Sequence, residues 1–335
     1  MARSRSPIAL DFGEHSVKAL QLELRGGELH VRAAGSARVA TGDATDLGAR
    51  QLDAARCALR QGAFRGRQAR VALGLHDVGT RHLRLPAEQI ERAGEHIAAR
   101  IAAESDAEGA LRLAPLVVAD LFDQGEHKRE YLCCIATDDA VATAIQRTEA
   151  LGLEPQAIEL ATIAQCRPLL QRSPKDSFAH LDIGCGATRL TVVRAGEPVL
   201  MRTVAVGGER LLATLMERLQ FDEAALLDLL AEPTDGEMVQ RAVVDALAPL
   251  LAPVLQRTAD GIRYCGALFH GRTVTALRLS GGSAHLPGLA AHLAHSIGIT
   301  AEVVDPLPGV IDLPPSPPRA AWTTASGLAL GGLPA

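Results

Sequence analysis

Nine residues near the start of the chain return, without a gap, half a chain later. Leu10-Asp11-Phe12-Gly13-Glu14-His15-Ser16-Val17-Lys18 lies over Leu181-Asp182-Ile183-Gly184-Cys185-Gly186-Ala187-Thr188-Arg189, an offset of 171 in a chain of 335 residues. Leu, Asp and Gly match themselves, and Lys18 falls on Arg189. Each copy continues into an apolar stretch, a glycine turn (Gly26-Gly27, Gly196) and a further strand pattern. A repeat on this scale predicts two lobes built on one supersecondary unit, because each copy must bury its own strand.

The spacing predicts strands at Ile8–Gly13, Ser16–Leu24 and Glu28–Val39, then a helix over Leu47–Ala63. Between this unit and the second copy lies a block that reads ββαββα. Its strands fall near Arg70–Leu75, Arg81–Leu85, Leu116–Phe122 and Glu130–Ala136. Its helices cover Ala87–Glu104 and Asp139–Leu151, the latter started by Asp138-Asp139 and stopped by Gly152. The second half reads as helical from Glu209 to Phe269, with Pro249 and Pro253 expected to kink or split it. A last strand, Ala276–Leu279, runs into Ser280-Gly281-Gly282-Ser283, and Trp322–Leu330 suits a closing helix. The expected division is a first lobe 1–66 (completed by 151–178 and 320–335) and an inserted subdomain 67–150. A second lobe 179–207 (completed by 271–319) carries a helical part, 208–270.

An Asp at the end of a buried strand, followed by x-Gly and a tight turn, combines two functions. The turn's backbone N–H groups form a nest for an anion, and the glycine allows close approach. The carboxylate stands where a phosphate-bound Mg²⁺ and its waters would lie. Two such turns would clamp a polyphosphate from both sides, with Asp11, Gly13, Ser16 and Lys18 on one and Asp182, Gly184, Gly186 and Thr188 on the other. Ser280, Gly281 and Gly282 would let backbone lie against a purine and ribose, and Glu209 could reach a ribose hydroxyl. Lys18 is one of three lysines in an otherwise arginine-based set of cations.

These motifs resemble the two phosphate motifs and the adenosine motif of the actin and sugar-kinase superfamily. The small block between the first helix and the second hairpin narrows the resemblance to the FtsA/PilM branch. Thr80-Arg81-His82-Leu83-Arg84-Leu85-Pro86, Ala150–Pro155, Ala205-Val206-Gly207-Gly208, Asp305-Pro306 and Ser326–Leu330 favour the PilM family of type IV pilus assembly proteins. The resemblance spans Ile8 to Leu330. The end of the chain has no basic amphipathic face of the kind FtsA-like proteins carry.

The resemblance implies an actin-like two-lobed fold with an inserted subdomain, binding ATP with Mg²⁺ held through Asp11 and Asp182. It implies a cytoplasmic adaptor, peripheral to the inner membrane, that recruits the N-terminal tail of a PilN-like membrane protein and could self-associate. Arg81 and Arg84 are the expected cations of the tail groove, beside the insert and the first lobe. Glu159 is the one candidate for orienting a hydrolytic water, so turnover should be very slow. Two departures stand out: Glu14 and His15 occupy turn positions where the family carries small hydroxyl residues. A carboxylate there repels a phosphate unless it points away.

Two alternatives belong to other classes. A small-molecule kinase needs a general base, and no Asp stands in Glu154–Gln165. A degenerate scaffold without nucleotide, like the cytoplasmic part of type II secretion platforms, is kept open by Glu14. The net charge of −5 and the 3% aromatic content argue against nucleic acid. No run of about 18 uninterrupted apolar residues marks a membrane span. Six cysteines without a CxxC read as free thiols. His285, His292 and His295 lack the acidic or thiol partners of a zinc site, and no catalytic role is expected of Cys133 or Cys134.

Overall fold

The structure, a computed structural model, describes residues 4–74, 77–104, 109–123, 125–171, 173–222, 225–226, 236–271 and 274–334. The first sheet is formed by β1 (Ser4–Arg5), β2 (Ile8–Phe12), β3 (Ser16–Arg25), β4 (Glu28–Arg38), β5 (Gln68–Leu73) and β9 (Glu154–Leu160). A three-stranded sheet follows the order β6 (Val78–Pro86), β8 (Glu126–Thr137), β7 (Leu111–Asp123). The third sheet is formed by β10 (Phe178–Ile183), β11 (Thr188–Arg194), β12 (Glu197–Val204), β13 (Ala276–Ser280) and β14 (Thr300–Val303).

The sequence repeat is a repeat of topology. β2 pairs antiparallel with β3 and parallel with β5, and β5 pairs parallel with β9. In the second lobe β10 pairs antiparallel with β11 and parallel with β13, and β13 pairs parallel with β14. The cation of each copy faces the Asp of its own hairpin across the ladder, Lys18 opposite Asp11 and Arg189 opposite Asp182. After β14 the chain returns to the first lobe, where Trp322, Ala325 and Leu328 pack on Ala9, Leu20 and Leu22.

The inserted block departs from the ββαββα expectation. Gln68–Leu73 is not part of it: the strand lies in the first sheet between β2 and β9. A two-residue alternation marks a strand but says nothing about which sheet it joins. Leu75, the expected end of that strand, lies outside the described residues. The helix Asp138–Glu149 also packs on β5 and β9, and its N-cap is Thr137, whose hydroxyl accepts from the Ala140 N–H, with the two Asp in the first turn.

What remains is a three-stranded sheet with the helix Ala93–Glu104, around Leu83, Leu85, Ile97, Ile101, Tyr131 and Cys133. The opposite face, with Val118, Leu132 and Cys134, joins the core of the second lobe. Both adjacent cysteines are therefore buried, one on each face.

The helix Glu237–Leu268 runs unbroken through Pro249 and Pro253, so the prolines do not split it. Both prolines sit on its exposed side. Its buried stripe, Val243, Leu247, Leu251, Val254, Thr258, Gly261 and Cys265, recurs every three or four residues against the second-lobe sheet. By length and composition this helix could cross a membrane. In the fold it instead lays that stripe on β11 and β12.

Candidate functional site

Each hairpin places its Asp at the end of a central strand. In the first, Lys18 is 7% exposed and its Nζ lies 3.4 Å from Asp11 Oδ2. The turn is tight: a Cβ on Gly13 would stand 2.7 Å from the Ser16 carbonyl oxygen. Gln51, buried on the helix Leu47–Gln61, donates from Nε2 to the carbonyls of Phe12 (3.3 Å) and Gly13 (3.1 Å) and anchors the turn.

The second Asp is held more completely. Asp182 Oδ2 accepts from Gln165 Nε2 at 2.8 Å, and Oδ1 accepts from the Ser280 hydroxyl at 3.0 Å. With the Ser280 proton given to Asp182, the 2.8 Å contact between Ser280 and His180 makes His180 Nε2 the donor. His180 is fully buried and is therefore neutral, its pKa driven below 6.5 mainly by burial. Burial would raise the Asp182 pKa. The Arg189 charge, His180 and the two hydrogen bonds overcome this and hold it below 3.8. Gln165 also donates to Thr324, so one amide joins the second hairpin to two helices packed on the first lobe.

Among the remaining expected nucleotide residues, several polar groups are already engaged within the protein. The Thr188 hydroxyl donates to the Val206 carbonyl (2.7 Å), and the Gly184 N–H closes its own turn on Ala187 (3.0 Å). Gly208 and Glu209 donate their backbone N–H groups to the carbonyls of Gly184 and Cys185. Gly281, at φ +94°, lies against the backbone of Ile183 and gives its N–H to Ala320. Gly282 borders open space, and Ser16 is half-buried at the start of β3.

The two turns meet through Glu14. Where a Cβ on Gly186 would stand, Glu14 Oε2 lies 2.7 Å away. Burial, then the charges of Glu14 and Glu209, push the Cys185 thiol up to about 11. A second carboxylate thus also faces this turn. As they stand, these residues do not fit a Mg²⁺–triphosphate, because a carboxylate reaches the turn that its phosphates would approach.

Glu159 is not with them. Its half-buried carboxylate is held between the guanidinium groups of Arg70 and Arg167, so its charge is already paired. Arg84 is also engaged elsewhere. Its Nε donates to Glu130 at 2.9 Å, and Glu130, 1% exposed on β8, also meets His82 and the Tyr264 hydroxyl of the long second-lobe helix. These charge-assisted bonds hold Glu130 below its ordinary value against the opposing effect of burial. This joint ties the insert to the second lobe. Arg81 remains available to solvent on the edge strand β6.

Arg81 borders a cavity of about 230 Å³ walled by three parts of the molecule. Leu73–Gly74 and Leu160–Thr162 come from the first lobe, Val78–Arg81 from the insert, and Arg189–Thr191 with Met201–Thr203 from the second lobe. Arg189 and Arg202 join Arg81 there, and no carboxylate lines the cavity among the described residues. Thr191 is fully buried, with no hydrogen-bond partner for its hydroxyl among the described residues. Arg189 could have been found from its place over Lys18 in the repeat. Arg202 and Thr191 carry no local signal. Among the described residues no three His, Cys, Asp or Glu side chains come together as a metal site.

The family model of the type IV pilus assembly protein PilM matches residues 9–332, nearly the whole chain. The chain belongs to that family. Membership places it in type IV pilus assembly, and the fold is the actin-like two-lobed α/β fold. A solved structure described as a PilM–PilN type IV pilus biogenesis complex is similar, with 20% identity and a TM-score of 0.78. That match covers 98% of this chain and 99% of the other. The ethanolamine utilization protein EutJ from Carboxydothermus hydrogenoformans is similar at 16% identity and a TM-score of 0.57, covering 98% and 90%. A search of curated proteins returned no match.

Proposed function

We propose that the chain is a cytoplasmic adaptor of the pilus assembly platform, held at the inner membrane by the N-terminal tail of a PilN-like protein. The observation that carries this reading is the cavity beside Arg81, at the meeting of insert, first lobe and second lobe. Two of its walls, β6 and β12, are edge strands, whose outer backbone groups can pair with an extended peptide. Val78, Leu160 and Met201 offer apolar contact, while Arg81, Arg189 and Arg202 favour an acidic or amide-rich flank. The similar structure is a complex with PilN, which supports this choice of partner. Family membership and the lack of an Asp in Glu154–Gln165 favour an adaptor over a kinase, and Glu159 is already paired with two arginines.

The test is capture of the partner's cytoplasmic tail by the full chain carrying Arg81→Glu and Arg202→Glu. Affinity should fall by at least about tenfold, with stability within about 0.5 kcal/mol of wild type because both sites are solvent-accessible. Tail binding at wild-type affinity by the folded double variant would place the groove elsewhere.

A further inference from the structure

We propose that Glu14 is a built-in occupant of the phosphate seat, so that this chain joins its two hairpins without a nucleotide. In a nest-type turn the glycine leaves room for an anionic oxygen to approach the backbone. At the second turn that room is taken from within: a side chain at position 186 would meet Glu14 Oε2 at 2.7 Å. A carboxylate oxygen is an anionic acceptor, as a phosphate oxygen is, and here it comes from the opposite hairpin.

The surrounding groups agree with an internal anion. Lys18 and Arg189, the two cations of the hairpins, each face their own Asp across the ladder. The Thr188 and Ser280 hydroxyls are committed to Val206 and Asp182. Glu209 adds negative potential at Cys185 beside that of Glu14. A triphosphate entering here would meet carboxylate charge on both sides and would have to displace Glu14. Gln165 adds a direct connection from Asp182 to Thr324.

This inference does not depend on the tail groove, whose test reads a different surface and a different ligand. The experiment is calorimetric titration of the full chain with ATP and MgCl₂. Wild type should give no saturable binding at nucleotide concentrations up to about 1 mM. Glu14→Ser should bind at least about tenfold more tightly, since it removes both the charge and the bulk. Glu14→Gln, which keeps the volume, separates the two and should fall between them. Without nucleotide Glu14→Ser should melt below wild type, and ATP·Mg²⁺ should restore it. Micromolar binding by wild type would overturn the proposal. So would folded Ser and Gln variants that bind no better than wild type.

Discussion

The two Asp-x-Gly hairpins share strand order, register and the placement of a cation opposite the Asp, yet they have become different devices. The first keeps a simple pair, Asp11 with Lys18 at 3.4 Å, at a turn half open to the cleft. The second ties Asp182 to Gln165, Ser280 and, through Ser280, His180. The turns have diverged as complements: the first carries Glu14, and the second carries the glycine against which Glu14 rests. Backbone pairing restrains strand register through many hydrogen bonds at once, whereas a turn side chain is free to change. Duplication therefore preserves the frame and releases the tips.

The largest contrast should come from the glycines. A Cβ on Gly207 would collide with backbone atoms of Cys185, Gly186 and Ala187, none of which can swing away. Gly207→Ala should cost about 3 kcal/mol or more, read as a shift in denaturant midpoint. Gly13→Ala, which opposes one carbonyl at 2.7 Å, should cost less. Equal losses would mean that the second turn is no more constrained than the first.

Removing the acids is the next test. Asp182→Ala leaves Gln165 and Ser280 without their acceptor in a buried setting and should cost about 2–3 kcal/mol. Asp11, whose side chain is 17% exposed and has one charged partner, is held by fewer bonds, so Asp11→Ala should cost less, about 1 kcal/mol. The reverse order would show that the first hairpin, not the second, carries the joint.

The smallest effect is in the pH profile. His180 is held neutral in the fold, below its ordinary 6.5, so stability is full above pH 6.5 and declines as the unfolded chain takes up its proton. Asp182 is also depressed in the fold, so its contribution is present above 3.8 and is lost on further acidification. Both act in the same direction, in sequence. His180→Leu should flatten the first decline, between pH 6.5 and about 4, and leave the second. An unchanged profile would mean that His180 carries none of the pH dependence.

Much of this was legible in residue order. The repeat announced two lobes, and Lys18 over Arg189 announced the cation opposite each Asp, because strand register carries side chains with it. The position of Glu14 raised the nucleotide question, and the strand expected at Arg81–Leu85 is the one that borders the cavity. Other features were not local. Arg84 and Arg81 are three residues apart on one strand, yet one binds buried Glu130 and the other faces solvent. Glu159 looked available until Arg70, 89 residues away, and Arg167 closed on it from two sides. Arg202 and Thr191 join Arg81 only because the insert sheet lies against the second lobe.

By itself the sequence determined the duplicated frame and the acids at the strand ends, since these follow from short-range periodicity and spacing, while the family was carried by the resemblance of its motifs. Only the tertiary structure decided that Gln68–Leu73 belongs to the first lobe, and that Glu14 reaches across to Gly186. Strand pairing and the direction of a turn side chain are set by what packs opposite, and those partners lie up to half a chain away.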